Sequence, residues 1–557
     1  MTPDQVGGMT LARSQRVPDI LDVIAALSSD AVPTPPLLAR ALLDLLPAEV
    51  WANPDYRWFD PATKSGSILR EIAHRLMEGL STWEADPAKR AEHILRNMLY
   101  GCAITQVHGE MTRRSVYISR DATSDLSAVR FDSPEGNLPF VPTAHDYPVD
   151  RQGVASGPCR VCSAPPGLER GESRENYAHA FIHGTYPTEE MREMQFDIVV
   201  GNPPYQISAD GTTRTMPVYQ YFVQKAKALN PKYIAMITPS RWFAGGLGLD
   251  EFRDSMLADR RFRTIVDNPR LFDCFPGVEI KGGVSYFLWD RDHDGDCDFS
   301  TRIEGRIASS ASRDLRDGDG VLIRDNSAAL IVAKVRDRST NLVSDMVQPR
   351  LAFNDKFRTN FRGSSEAHDD TTIPLIFNSG VGYVRDDEVL RGRDLVAKWK
   401  VLIPKAGDGH GREVSYVLGE PIAVAPGSVC TETYFVAGAF DSSDEAENFA
   451  YYLASKFARF LVLQRKNTQD LTSDRFKFVP LPDMKVRWTD ADLYAHFRLT
   501  EDEAAYIEST IHPRSPILSL DSAIPASHLP GGQKYREPGA RVETELPESD
   551  EIDEDDG

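Results

Sequence analysis

The sequence predicts an α/β protein with a doubly wound, mostly parallel sheet and a mixed α+β carboxyl-terminal domain. Three observations carry this. Strand-length apolar runs alternate with amphipathic helical stretches up to residue 291, the pattern of βαβ units. The run Phe196 to Val200, broken only by Asp197, stops abruptly at Gly201-Asn202-Pro203-Pro204-Tyr205. Beyond about residue 300 the alternation weakens into short mixed segments, and 557 residues exceed one core.

In chain order, residues 1–17 read as a disordered start. PTPPLLARALLDLLP at 33–47 gives a turn and then a helix. RWFD at 57–60 ends a strand. SILREIAHRLMEGL at 67–80 places Ile68, Ile72, Leu76 and Leu80 on one helical face. A helix over roughly 87–99 precedes GCAIT, and RSVYIS at 114–119 suggests a strand. Residues from about 120 to 190 form an irregular insertion rich in Gly, Pro, Ser and charge. The sheet resumes at 196–200, with a helix at 217–229 and strands at 233–239, 264–268 and 282–290. EAENFAYYLASKFARFLVLQRK at 445–466 reads as one strong helix. The expected divisions are 18–299, 300–515, and an acidic disordered tail at 516–557.

Composition excludes little. Hydrophobic residues make up 41% and charged residues 26%, ordinary for a globular chain. No apolar run reaches membrane-spanning length, and the amino terminus lacks a signal-peptide core, so no membrane partner is expected. Six cysteines point to a reducing, cytoplasmic setting rather than a disulfide scaffold. The net charge of −20 divides unevenly, because ten acids and one Arg from Glu537 onward leave −11 for the rest. Any nucleic-acid surface is therefore a local basic patch.

The Asn202-Pro203-Pro204-Tyr205 turn carries the most chemistry. Prolines stiffen the loop and leave its carbonyls free to accept. Asn202 and the Pro203 carbonyl suit an exocyclic amine on a planar ring, with Tyr205 stacking on its face. Asn and Pro also occur in turns for purely local reasons. Upstream, FDPATKSGSIL at 59–69 reads as a strand end, a Ser65-Gly66 turn and a helix start, where Asp60 can accept from a cationic amino group. It matches neither the dinucleotide fingerprint nor the phosphate loop, and an ordinary β–α turn fits equally well.

Asp60-Pro61-x-x-x-Ser65-Gly66-Ser67 followed by Asn202-Pro203-Pro204-Tyr205 resembles the motif pair of S-adenosylmethionine-dependent amino methyltransferases. PTPPLLARALL at 33–43 and IKGGVSYFLW at 280–289 resemble segments of the gamma class of DNA adenine N6-methyltransferases. CTETYFVAGAF at 430–440 and KNTQDLTSDRFKFVPLPD at 466–483 resemble the carboxyl-terminal region of restriction–modification methylases. The resemblance implies a methyltransferase sheet and a target-recognition domain. It implies transfer of a methyl group from S-adenosylmethionine to adenine N6 in a specific double-stranded DNA sequence. Its catalytic residues are then Asn202, Pro203, Pro204 and Tyr205, and its cofactor residues Thr34, Phe59, Asp60, Pro61, Ser65, Gly66 and Asp197, with a strand-internal role for Asp197 equally open. A separate restriction endonuclease or helicase subunit is the implied partner. RNA or protein-glutamine methylation and a non-catalytic DNA-binding specificity protein are the alternatives. Two positions depart from the family: Lys64 stands where glycine is usual, and GCAIT is followed by no acid until Glu110.

Cys159-x2-Cys162-x16-His179-x3-His183 has the ligand types and spacing of a structural zinc site, although YAHAFIH also reads as an ordinary helix or strand. Glu279-Ile280-Lys281 with Asp267 resembles half of a nuclease motif, but the segment also fits the later strand. Arg113, Arg114, and Lys398 and Lys400 around Trp399 suit phosphate contacts or a solvated face. Lys466, Asn467 and Gln469 are the better base-reading candidates.

Overall fold

A computed structural model of the chain describes residues 33–166, 178–208, 215–270, 272–275, 278, 280, 282–367, 372–406, 416–466 and 471–518. The expected disordered start, Asn467 and Gln469, Glu279 and Lys281, and nearly all of the acidic tail lie outside them.

The chain divides into two compact units after Ala333, not at 300. The reason is that a hairpin beyond 296 continues the sheet of the first unit. That unit contains β1 (Trp58–Thr63), β2 (Leu99–Ala103), β3 (Ile198–Gly201), β4 (Gln206–Ser208), β5 (Thr215–Pro217), β6 (Tyr233–Pro239), β7 (Phe262–Asn268), β8 (Val284–Asp290), β9 (Cys297–Ile303) and β10 (Arg306–Arg313). Eight of them form one sheet in the order β10-β9-β7-β8-β6-β3-β1-β2, while β4 and β5 make a separate hairpin. β1 runs parallel to β2 and β3, and β3 parallel to β6. β8 is antiparallel to both β6 and β7. The sheet is thus α/β and mostly parallel in its site-bearing half, as expected.

The helices used below are α1 (Pro36–Leu43), α2 (Ser67–Gly79), α3 (Pro87–His93), α4 (Gln106–Tyr117), α5 (Ala180–His183) and α6 (Tyr219–Ala228). Helices cover both faces. Ile68, Leu69, Ile72 and Leu76 of α2 join Trp58, Ile198 and Val200 in one core. Tyr219, Phe222, Val223 and Ala226 of α6 join Phe59, Val199 and Ile234 in another. This explains the uninterrupted apolar reading of β3 and β6, since strands buried on both faces do not alternate.

Two elements differ from the sequence reading. RSVYIS is the end of α4, not a strand. Thr105 caps that helix by accepting from His108 N–H, and Thr112, Arg113, Val116 and Tyr117 bury one helical face. The local β-branched and aromatic residues are overridden by this packing. The expected helix at 87–99 is helical through Met98 but changes form: α3 ends at His93, the chain widens into a π-helical turn at Ile94–Met98 and becomes β2 at Leu99.

The second unit is mixed α+β. Its sheets are β11 (Thr372–Phe377), β12 (Gly380–Arg385) and β15 (Val429–Cys430), and β13 (Trp399–Pro404), β14 (Ile422–Val424), β16 (Tyr434–Phe440) and β17 (Ile517–Leu518). The strong helix near 445–466 is two helices, α7 (Ser443–Ala454) and α8 (Lys456–Leu463). Ser455 leaves the helical path and its hydroxyl caps α8 by accepting from Ala458 N–H.

Candidate active site

The chain leaves β2 on one side of β1 and returns as β3 on the other. This reversal of strand order opens a crevice at the carboxyl ends of β1 and β3. Phe59 pairs with Val199, so Asp60 within β1 lies near the end of β3, where Asn202 follows. A Cβ on Gly201 would stand 3.2 Å from Asp60 Oδ1, close enough to press that carboxylate aside by a few tenths of an ångström.

The resulting cleft is lined by Thr34, Asp60, Lys64, Ser65, Gly66 and Asn202, among others, and its cavity volume is only about 10 Å³. Small-molecule pockets usually span roughly 300–1,000 Å³, so a nucleoside-sized ligand must displace a side chain. Lys64 is one of the side chains that fill it. It is buried, lines the cleft, and its Nζ lies 5.9 Å from the centre of the Tyr205 ring.

Asp60 is 4% exposed, and its Oδ1 accepts from Ala62 N–H at 3.0 Å. Burial raises its pKa to about 7, against the opposing pull of that hydrogen bond and the Lys64 ammonium. Asn202 is 3% exposed. Its Nδ2 donates to Thr34 Oγ1 at 3.1 Å, and Oδ1 is a buried acceptor with no partner among the described residues. Thr34 also fastens α2, because its carbonyl accepts from the Ser67 hydroxyl at 2.9 Å. Tyr205 meets Phe275 edge-on at 6.2 Å, and its hydroxyl is likewise buried without a partner among the described residues. Orphaned buried polar atoms cost stability, so a cluster of them at a strand end points to a ligand.

Gly66 has φ +74°, and a Cβ there would meet Ser115 Cβ at 3.0 Å and the Thr112 backbone at 3.1 Å. We expect Gly66→Ala to lower stability by about 1–3 kcal/mol and to abolish cofactor binding. Thermal denaturation and calorimetry check both.

Residues 97–275 match the family model described as Eco57I restriction-modification methylase. A Mycoplasma pneumoniae protein described as an uncharacterized adenine-specific methylase is 31% identical over 342 residues, covering 57% of this chain and 80% of that protein. The chain belongs to the adenine-specific methylases. Among solved structures, a type I restriction-modification methyltransferase subunit from Streptococcus thermophilus matches at 14% identity and TM-score 0.29, over 50% of each chain. The type IIG restriction endonuclease BpuSI matches at 12% and TM-score 0.37, over 88% of this chain and 62% of that one. The methylase spans about half to three-fifths of the length of these two. Enzymes of its family take S-adenosylmethionine.

The donor set fits that cofactor: a buried carboxylate for an ammonium, a helix amino terminus, and backbone brought close at Gly66. Thr34, Asp60, Pro61, Ser65, Gly66, Asn202, Pro203, Pro204 and Tyr205 all fall at or beside the crevice. Two expected cofactor residues do not. Phe59 is fully buried and stacks on Phe196 at 4.7 Å, because strand alternation turns it into the core opposite to Trp58. Asp197 precedes β3, about 16 Å of strand away from Asn202. Its Oδ2 accepts from Arg57 N–H at 2.9 Å, a strand-anchoring role.

His108 lies in the first turn of α4. It follows β2, where the family's acid is absent, and its Nδ1 lies 2.7 Å from Thr105 Oγ1. Burial and nearby Lys64 bring its pKa down to about 4, so it presents a neutral ring.

The methylase also assigns several basic residues elsewhere. Arg113 is buried and donates to the carbonyls of Arg120 and Leu138, so it staples the loop after α4 instead of meeting phosphate. Lys400 and Lys466 are buried, and Lys398 pairs with Asp441 at 3.3 Å. Asp267 is fully buried in a bidentate pair with Arg324 and also accepts from Ser240. These bonds use its carboxylate structurally.

The expected metal set is corrected at one position. Cys159, Cys162 and His183 converge, but the fourth member is His145, not His179. His179 precedes α5, and its ring packs edge-on against Phe222 of α6 in the core.

Proposed function

We propose that this methylase transfers the methyl group of S-adenosylmethionine to the N6 amine of an adenine in a specific double-stranded DNA sequence. The observation that carries the reading is the buried Asn202 Oδ1, unpartnered among the described residues, beside a carboxylate-bearing cleft. The adenine leaves the helix stack to reach the crevice, because a paired amine is inaccessible. Asn202 Oδ1 and the Pro203 carbonyl accept the two N6 hydrogens. These bonds orient the nitrogen lone pair and spread the positive charge that develops on it. Pro204 stiffens the turn and Tyr205 stacks on the base. Thr34 positions the Asn202 amide by holding its Nδ2. Asp60, Ser65 and Gly66 hold the cofactor, with the Asp60 carboxylate facing its ammonium. When bound, S-adenosylmethionine supplies an electrophilic methyl on a sulfonium. Alignment of amine and methyl is the main catalytic contribution.

The second unit, where β11–β17 lie, is assigned to reading the target sequence. The setting is a restriction–modification or related defence system in the cytoplasm, with a separate endonuclease or helicase subunit as partner. No helix among the described residues is long and apolar enough to cross a membrane. Single-molecule sequencing of DNA from cells expressing the protein tests the reading. A modified adenine within one defined motif is expected, and unmarked DNA beside a marked RNA or protein glutamine would replace it.

A further inference from the structure

The segment between α4 and β3 gathers two thiols and two imidazoles that the methyl-transfer chemistry does not use. One ligand atom from each of His145, Cys159, Cys162 and His183 lies within 4.8 Å of every other. Cys162 Sγ is 3.3 Å from His145 Nδ1, and Cys159 Sγ is 3.9 Å from His183 Nε2. Tetrahedral zinc, with bonds of about 2.3 Å to sulfur and 2.0–2.1 Å to nitrogen, sets ligand-to-ligand edges of roughly 3.3–3.8 Å. The four groups therefore need to close by at most about 1.5 Å.

The surrounding chain is built to hold them there. Cys159 and Cys162 lie on one tight turn: Cys159 N–H donates to the Ala164 carbonyl and Ser163 N–H to the Cys159 carbonyl. Ser163 has φ +58°, so the chain reverses directly after the second thiol. The loop carrying His145 is tied to that turn three times. Arg160 N–H donates to the Asp146 carbonyl, the Arg160 guanidinium pairs with Asp146 at 2.8 Å, and the Tyr147 hydroxyl donates to the Pro165 carbonyl. His183 ends α5, whose Phe181 and Ile182 belong to the same core as both cysteines. The cysteines are each 2% exposed. Two thiolates balance a divalent cation, so the closed site buries no net charge, which low-dielectric surroundings require.

We propose that His145, Cys159, Cys162 and His183 bind one structural zinc ion. All four positions are filled by protein, so the site has no open coordination for substrate and serves as a staple. It joins three separate stretches of the insertion to the core beside α6. Ser163, next to the second thiol, reaches that helix directly through Tyr221 Oη at 3.0 Å. α6 follows the catalytic turn in the chain, so the staple braces the helix behind Asn202 without entering the cleft. Binding releases the protons of both thiols.

The test is metal analysis of the purified full chain, which reads independently of methylation. The wild type, purified without chelator and incubated with zinc, is expected to retain one equivalent after gel filtration. Cobalt in its place is expected to show thiolate charge-transfer absorption and the intense visible bands of a tetrahedral site. Cys159→Ser, Cys162→Ser and His145→Ala are expected to lose the equivalent. His179→Ala and His145→Cys are expected to keep it. Wild type without stoichiometric metal, or with octahedral cobalt bands, overturns the site. Loss in His179→Ala with retention in His145→Ala overturns the ligand set. Both decisive readings use folded wild type or the paired histidine variants, so misfolding of a cysteine variant does not decide the outcome.

Discussion

Asn202→Ala is expected to lose methylation by at least about 10²–10³-fold while the protein stays folded, because the variant removes the acceptor that the transition state needs. The stability side is as specific as the activity side. Asn202 Oδ1 is buried without a partner among the described residues, so the native protein already bears the cost of desolvating it. Truncation relieves that cost and forfeits one hydrogen bond to Thr34. The two effects are each about 1 kcal/mol and opposite in sign, so the melting temperature is expected to shift by only a few degrees. Cofactor affinity is expected to change little. Near-normal turnover in the purified variant would reject Asn202 as a catalytic residue, whereas a collapsed melting transition would make it a structural one.

Asp60 gives the second large effect, in the pH dependence of cofactor binding. Its folded pKa is about 7 against an ordinary value of 3.8, because burial disfavours the carboxylate. A raised pKa means that the folded protein without ligand binds the proton more tightly than the unfolded chain. The stability linked to that proton is complete below about pH 3.8 and is lost as pH rises through 7, roughly 4 kcal/mol in all. An ammonium facing Asp60 reverses the preference, since it favours the ionised form. Cofactor affinity is therefore expected to rise about eightfold between pH 6 and pH 7.5, following the ionised fraction. Asp60→Asn should bind weakly at every pH with a flat profile, and should be more stable than wild type without ligand at pH 8. Calorimetry across that range decides, and an unchanged slope in Asp60→Asn would assign the titration to another group.

Much of this site was legible because its chemistry is compressed into short contiguous motifs. Asp60 through Gly66 and Asn202 through Tyr205 each announce a strand end, a stiff or glycine-dependent turn and a polar group. Strand register then brings the two motifs together, and parallel pairing of Phe59 with Val199 does so. What was illegible depends on contacts distant in sequence. Phe59 adjoins the motif, and only its packing against Phe196 shows that it faces the core. Asp197 sits in the apolar run, and only its bond to Arg57 shows that it belongs to the other end of the sheet. The histidine exchange at the metal cluster has the same origin. His179 has the better spacing, but the start of α5 gives its ring to Phe222, and His145 arrives from an irregular loop that no periodicity marks. RSVYIS misled because α4 is held by its cap and its packed face, not by propensity.

Thr34 has a consequence for how the enzyme is made. It lies 168 residues before the amide it holds, on a segment outside the sheet. During synthesis the anchor leaves the ribosome long before its partner exists, and it waits through the whole of β1, β2 and the insertion. The sheet can therefore assemble its strand order before the amide is fixed. Closing so long a loop costs little more than closing one half as long, so the delay carries no great thermodynamic burden. The amide is held only once the segment carrying Thr34 has docked onto the finished strand.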